Sequence, residues 1–217
     1  MPRVFVLSIC AAGALAALVA GAFSLNALQR SGAESGLRQV SVGAATFALK
    51  SAYLRLASRG GGRLEQLDMA AFFPGFAPAG DARDVNEQTD LGERFQRIVF
   101  MTIRPSDSSL DPAERMPRLY ARFLESEEWS HPGGLVARAF QKDSPFENEE
   151  LFFAAPEGRA FAARCQRPDQ ARKTPNTCAY DFRVDDLDIE LRFSAALLSE
   201  WEALTAGARG LINSARR

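Results

Sequence analysis

The strongest constraint on the fold is an alternating pattern that runs from Arg159 to Phe193. Every second residue there is apolar, and the residues between are mostly charged. A period of two is typical of strands with one buried and one solvated face. The stretch therefore predicts antiparallel hairpin arms whose inward residues are Phe161, Ala163, Cys165, Cys178, Tyr180, Phe182, Val184, Ile189, Leu191 and Phe193.

A two-residue turn at Asp185-Asp186 predicts the register of the last hairpin. Aspartate tolerates the unusual backbone angles that such a turn requires. Asp181 would then face Glu190, an unfavourable pairing that the diagonal arginines Arg183 and Arg192 are expected to offset. The other predicted cross-strand pairs are Phe182–Ile189, Tyr180–Leu191, Cys178–Phe193 and Arg183–Asp188.

The cysteines predict a disulfide between Cys165 and Cys178. Both occupy inward positions on neighbouring predicted strands, while the third cysteine, Cys10, lies in the apolar N-terminus. A bond that closes the intervening loop would stabilise the fold by about 3 kcal/mol. Two buried thiols in a cytosolic core are the alternative, but the apolar N-terminus favours export, and oxidising compartments permit disulfides. With one histidine, His131, the chain lacks the four ligands of a zinc site.

The N-terminal stretch Val4–Phe23 is twenty residues long and uncharged. Roughly 20 helical residues span a bilayer, and a cleaved signal peptide has an apolar core of only ~7–15. We predict an uncleaved inner-membrane anchor with the main domain in the periplasm. Cleavage at the small residues 20–22 is the alternative and would release a periplasmic or secreted protein. Arg30 and Arg38 would favour a cytoplasmic domain by the positive-inside rule, whereas the cysteine pair favours export.

Three segments are predicted: an anchor or signal at residues 1–27, a Ser/Gly/Ala-rich tether at 28–45, and a single domain at 46–217. Within the domain, proline at a first helical position favours an internal helix from Pro117 to about residue 127. A Ser-x-x-Glu capping box at Ser199 and Glu202 predicts the start of a C-terminal helix.

These elements predict an α+β fold: a mostly antiparallel, twisted β-sheet, with a β-meander in the C-terminal half, packed by both helices and preceded by the N-terminal apolar helix. Each helix has apolar residues at helical spacing, so each is expected to bury one face. These residues are Met116, Leu119, Tyr120, Phe123 and Leu124 in the first helix, and Trp201, Leu204, Ala208, Leu211 and Ile212 in the second.

The sequence offers no catalytic residues, metal set or cofactor motif. His131 has no Gly-x-Ser-x-Gly elbow to serve, and the glycines at 60–62 lack a phosphate-binding spacing. A net charge of −1, without interleaved basic and aromatic residues, argues against nucleic-acid binding. Carboxylates are abundant, so an envelope hydrolase that uses a carboxylate pair on a cell-wall polymer is the alternative function.

Two sets of residues are candidate binding contacts. The aromatic turn of Phe72, Phe73 and Phe76 would form an exposed patch for a partner, unless it folds back onto the core. On the outer face of the internal helix, an arginine stripe would hold an anionic partner, unless it forms ion pairs with Glu114 and Glu125. The stripe contains Arg115, Arg118 and Arg122. The sequence thus predicts a non-catalytic accessory or interaction protein of the cell envelope, held to the membrane through Val4–Phe23.

Overall fold

A large antiparallel sheet is the main element of the structure, a computed structural model that describes residues 36–81, 91–107, 109–167 and 176–217. The described residues contain twelve strands: β1 (Leu37–Val42), β2 (Ala45–Lys50), β3 (Gly62–Leu64), β4 (Leu67–Phe72), β5 (Ala77–Pro78), β6 (Ile98–Pro105), β7 (Trp129–His131), β8 (Leu135–Ala139), β9 (Glu149–Ala154), β10 (Ala162–Gln166), β11 (Thr177–Val184) and β12 (Leu187–Ser194). Nine of them form one antiparallel sheet, in the order β5-β4-β6-β12-β11-β10-β9-β8-β7. The other three form a small sheet, in the order β2-β1-β3.

Helices pack against both faces of the large sheet. They are α1 (Leu91–Gln96), α2 (Pro112–Arg115) and α3 (Trp201–Ala215). Helix α2 continues through a π-helical turn at Met116–Tyr120 and a 3-10 turn at Ala121–Phe123. The predicted α+β class is confirmed, with a large antiparallel sheet, an internal helix and a C-terminal helix. Among the described residues, no helix is both long and apolar enough to cross a membrane, and the Val4–Phe23 run lies outside them.

The predicted register of the last hairpin is confirmed at every pair. Strand β11 pairs with β12 so that Phe182 faces Ile189 and Cys178 faces Phe193. On the outer face, Arg183 binds Asp188 through two hydrogen bonds of 2.6 and 3.0 Å. Asp185, at the turn, has a φ of 52°, the left-handed conformation that aspartate tolerates better than most residues.

Two apolar clusters lie on opposite faces of the sheet because alternate residues of β9 point to different sides. Phe152 joins the larger cluster, whereas Leu151 and Phe153 join the smaller one. Helix α3 covers the larger cluster with the buried residues Leu204, Ala208, Ile212 and Ala215. The internal helix covers the smaller cluster with Met116 and Tyr120, and Leu124, the residue after the helical segment, also packs there.

The predicted start of the internal helix at Pro117 is wrong. The helix begins at Pro112, and Asp111 caps it by accepting a hydrogen bond from the Ala113 amide at 2.9 Å. Proline lacks an N–H and disrupts regular α-helical bonding. The chain accommodates Pro117 inside the π-helical turn and ends the helical segment at Phe123.

The predicted capping box of α3 is also wrong. Ser194 instead caps the preceding 3-10 turn, Ala195–Glu200, by accepting from the Ala196 amide. The glycine at position 207, which lowers helix propensity, has a packing reason: a Cβ there would overlap the ring of Phe76. The close approach of Phe76 to α3 therefore requires glycine.

The predicted tether at residues 28–45 needs correction in its second half. Strand β1 lies within it, and its Val40 and Val42 side chains are fully buried. Arg38–Arg217 form one compact unit, so the domain begins earlier than residue 46. The Ser and Gly content of this segment predicts a tether, but Val40 and Val42 alternate along it and are buried, and their burial stabilises a strand there. Residues 28–35 lie outside the described part.

Candidate functional site

A groove of about 510 Å³ lies along the edge of β4. The chain at Leu54 forms a single bridge to Met69, and the Arg55 amide donates to the Asp68 carbonyl at 3.0 Å. On either side of this contact, the chain turns away from the sheet in 3-10 turns at Ser51–Tyr53 and Leu56–Ser58. These turns leave a groove whose lining includes Arg55, Leu56, Ala57, Arg59, Asp68 and Ala70.

Two exposed arginines supply the positive charge of the groove. The Arg55 guanidinium carbon lies 4.9 Å from the centroid of the Phe100 ring, a cation–π contact that orients the head group. The Arg59 Nε donates to the Leu54 carbonyl at 3.3 Å. Within the described ranges, neither arginine has a carboxylate at ion-pairing distance. Their charge is therefore available to a ligand.

Asp68, the carboxylate among the lining residues that the structure describes, is already bonded. It is 9% exposed. Its Oδ1 accepts from the Thr102 hydroxyl at 2.8 Å, and its Oδ2 accepts from the Gln66 amide at 2.9 Å. Its backbone amide donates to the Ser58 hydroxyl at 2.8 Å, which ties the 3-10 turn to the sheet. Asp68 thus holds the groove together, and its charge is partly compensated by hydrogen bonds.

A second, smaller cavity of about 110 Å³ lies between the start of the internal helix and β11. Arg115 extends from the helix and donates to Asp181 at 2.5 Å. Burial raises the pKa of the Asp181 carboxyl above its usual 3.8; Arg115 opposes this shift, and Glu190, facing Asp181 across the strands, adds to it. The pairing of two acids is therefore offset by Arg115 of the helix and by Arg192, which contacts Glu190.

The Asp181 carboxyl predicts a pH dependence of stability. Because its pKa is raised on folding, the folded state binds more protons than the unfolded state between pH 3.8 and the raised pKa. Its contribution to the free energy of unfolding is therefore present at low pH and lost as the pH rises through that window. We therefore compare the free energy of unfolding of the Asp181→Asn variant with that of the wild type. The variant's value minus the wild-type value should rise from about pH 3 to about pH 7. Urea denaturation at each pH measures both free energies, and a difference that falls with pH would contradict a raised pKa.

The aromatic turn does not form the exposed patch that the sequence suggested. Phe73 and Phe76 are 3% and 6% exposed and belong to the main core, where their rings meet edge to face. Phe72 is half-buried beneath the Arg94 guanidinium. The turn folds inward because Phe76 packs against Gly207 of α3, and the Tyr53 hydroxyl donates to the Phe76 carbonyl at 2.9 Å.

The arginine stripe of the internal helix divides into three environments. Arg115 is taken up by Asp181 on the sheet. Arg118 forms an i,i+4 ion pair with Glu114 at 3.2 Å. Arg122 bonds the Leu119 carbonyl and lies over Phe123. These contacts match the ion-pair alternative for Arg118 but leave no continuous stripe.

The remaining predicted residues are structural. The predicted disulfide between Cys165 and Cys178 is present, and the two residues lie directly opposite each other on β10 and β11. His131 contacts the edge of the Phe152 ring and bonds the neighbouring Pro132 carbonyl. In the part of the chain that the structure describes, no three His, Cys, Asp or Glu residues lie where they could hold a metal ion.

Arg55 and Arg59 were not singled out as candidates from the sequence. A signal for them was present: residues 45–64 contain four cations and no carboxylate, although the chain as a whole has a net charge of −1. The groove itself could not be read from that signal, because its other wall comes from β4 and from residues 79–80.

Fold and groove together define a mixed α+β domain with a nine-stranded sheet and an arginine-lined groove at one edge. No protein-family model and no curated protein matches the chain. Among solved structures, it is similar to Smlt3025, an immunity protein of the Stenotrophomonas maltophilia type IV secretion system. The TM-score is 0.59 at 16% identity, over 84% of this chain and 94% of that one, which shows a shared fold. FrpD, an iron-regulated outer membrane lipoprotein of Neisseria meningitidis, matches with a TM-score of 0.42 at 9% identity, over 75% of this chain and 82% of that one.

Proposed function

We propose that this chain is a non-catalytic accessory protein of the cell envelope that acts by binding a protein partner. The observation that carries the proposal is the fold that it shares with a secretion-system immunity protein along most of both chains. The groove at β4 supports it, because arginine is one of the residues enriched in binding hot spots and Arg55 and Arg59 line the groove. Phe72 is a further candidate contact, whereas Arg118 is paired with Glu114 and Arg122 is held by the Leu119 carbonyl and the Phe123 ring.

An envelope location is supported by the disulfide, since such bonds persist in oxidising compartments. Together with the apolar Val4–Phe23 run, it leads us to propose an inner-membrane anchor and a periplasmic domain, with a cleaved and released form as the alternative. We expect the protein to stay with inner membranes after a high-salt wash. We also expect protease to digest the domain once the outer membrane is opened. Digestion only after inner-membrane lysis would contradict the orientation.

Partner capture tests the function. The full-length native protein, solubilised from envelopes, is used to capture a partner that is then identified and purified. Calorimetry with the two purified proteins should show saturable binding at fixed stoichiometry. As a control for folding, the same titration with reduced and unfolded protein should show none. Absence of a saturable complex with any captured envelope protein would overturn the proposal.

A carboxylate-pair hydrolase is the second candidate, and one observation favours it: Asp181 faces Glu190, and burial raises the pKa of Asp181. Two features weigh against it. The adjoining cavity of about 110 Å³ is below the ~300 Å³ at which ligand pockets usually begin. The Asp181 carboxylate is also engaged by Arg115. Release of soluble fragments from purified cell wall, abolished by Asp181→Asn, would establish the hydrolase instead.

A further inference from the structure

The charge around the β4 groove is unbalanced. Residues 45–64 carry Lys50, Arg55, Arg59 and Arg63, all exposed, and no carboxylate. A local excess of one charge sign produces a positive potential even on a chain with a net charge of −1. Among the described lining residues, the cations Arg55 and Arg59 outnumber the hydrogen-bonded Asp68, so the groove favours anionic groups.

The two groove arginines are placed to bind carboxylates. The contact with the Phe100 ring holds the Arg55 guanidinium without using its N–H groups in an ion pair, and these groups can make a forked contact with an acid. Two other surface arginines have a carboxylate partner: Arg118 lies against Glu114, and Arg216 against Asp185. Arg55 and Arg59 have no such partner within the described part of the chain.

Apolar groups beside these arginines distinguish the groove from a plain basic patch. Leu56 is 82% exposed at its rim, and Ala57 and Ala70 line it. When a partner's apolar side chain covers an exposed leucine next to a concave wall, apolar surface is removed from water and the free energy of the complex is lowered. The volume of about 510 Å³ is sufficient for several side chains of an extended segment.

We propose that this groove binds an acidic, extended segment of the partner protein. Carboxylates of the segment contact Arg55 and Arg59, and an apolar side chain between them covers Leu56. The inference rests on the proposed function and adds the chemistry of the partner. A protein segment fits the groove better than a phosphorylated lipid headgroup because apolar lining at Leu56 and Ala57 separates the two arginines, Arg55 and Arg59.

Fluorescence anisotropy with matched peptides tests the proposal on the full-length protein. The probe is a labelled decapeptide with a central Glu-Ser-Leu-Ser-Glu, which places both carboxylates and the leucine on one face of an extended segment, and its control has Gln-Ser-Leu-Ser-Gln. We expect the Glu peptide to bind the wild type at least about tenfold more tightly than the Gln peptide, and to weaken as salt is raised. Arg55→Glu with Arg59→Glu should reduce affinity for the Glu peptide at least about tenfold. The matched double variant Arg118→Glu with Arg122→Glu should bind like the wild type.

Several outcomes would overturn the proposal that the groove binds an acidic segment. An equal loss in both double variants would indicate general charge attraction. Equal affinity for the two peptides, or no binding up to about 1 mM, would exclude an acidic segment. If the protein sediments with phosphatidylglycerol vesicles but does not bind the Glu peptide, the surface binds lipid instead. Thermal unfolding checks that the variants are folded. If the Arg55→Glu, Arg59→Glu variant is not folded, the charge-neutralising variant Arg55→Gln with Arg59→Gln takes its place.

The captured partner separates this inference from the proposed function. If the Arg55→Glu, Arg59→Glu variant binds that partner with wild-type affinity, the groove assignment fails and the proposed function stands. If the wild type itself forms no saturable complex, the proposed function fails. A loss of at least about tenfold in the variant, with the Arg118→Glu, Arg122→Glu protein unchanged, supports both.

Discussion

Phe73→Ala is expected to lower the free energy of unfolding by about 3–5 kcal/mol, the range for a phenylalanine removed from a packed core. Phe73 is 3% exposed, meets Phe76 edge to face with ring centroids 6.1 Å apart, and lies beneath the Arg97 guanidinium. Its truncation would leave a cavity in the main core beside the Phe76 ring. Urea denaturation of the purified domain measures the loss.

Phe95→Ala is the matched control, since it makes the same chemical change at a side chain that is 61% exposed. That variant should stay within about 0.5 kcal/mol of the wild type. Equal effects of the two substitutions would mean that Phe73 is not a core residue. Unchanged stability of Phe73→Ala with a loss of partner binding would restore the exposed aromatic patch that the sequence suggested.

Reduction of the disulfide is expected to cost about 3 kcal/mol of stability. Cys165 and Cys178 are separated by 13 positions, and a bond that closes a loop of this length restricts the unfolded chain. Both residues are at most 2% exposed and lie in the central strands β10 and β11. Denaturation of the purified protein with and without dithiothreitol measures the difference.

The double variant Cys165→Ala, Cys178→Ala is the control, because it retains Cys10 and should not respond to dithiothreitol. Thiol titration of the denatured wild type should give one free thiol before reduction and three after it, matching the three cysteines of the sequence. Three thiols without reductant, or equal stability in both redox states, would contradict a stabilising disulfide.

Sequence reasoning was most accurate where the apolar period was regular and the contacts were local. The pairs of β11 and β12, including Arg183 with Asp188, follow from a period of two and a two-residue turn. The cysteine pairing follows from the same alternation. Boundaries were less accurate: the internal helix begins five residues before Pro117, because Asp111 caps it there and a π-helical turn absorbs the proline.

Alternation, turn chemistry and apolar spacing were enough to determine the α+β class, the last hairpin and the disulfide, because each depends on residues close in the chain. Whether a side chain is buried by a distant element depends on the packing of the whole domain. Thus α3, more than 120 residues away in the chain, packs against Phe76, and β4 completes the wall beside Arg55 and Arg59. The groove exists only because β4 and the 3-10 turns at Ser51–Tyr53 and Leu56–Ser58 meet in space, and that meeting leaves no periodic trace in the sequence.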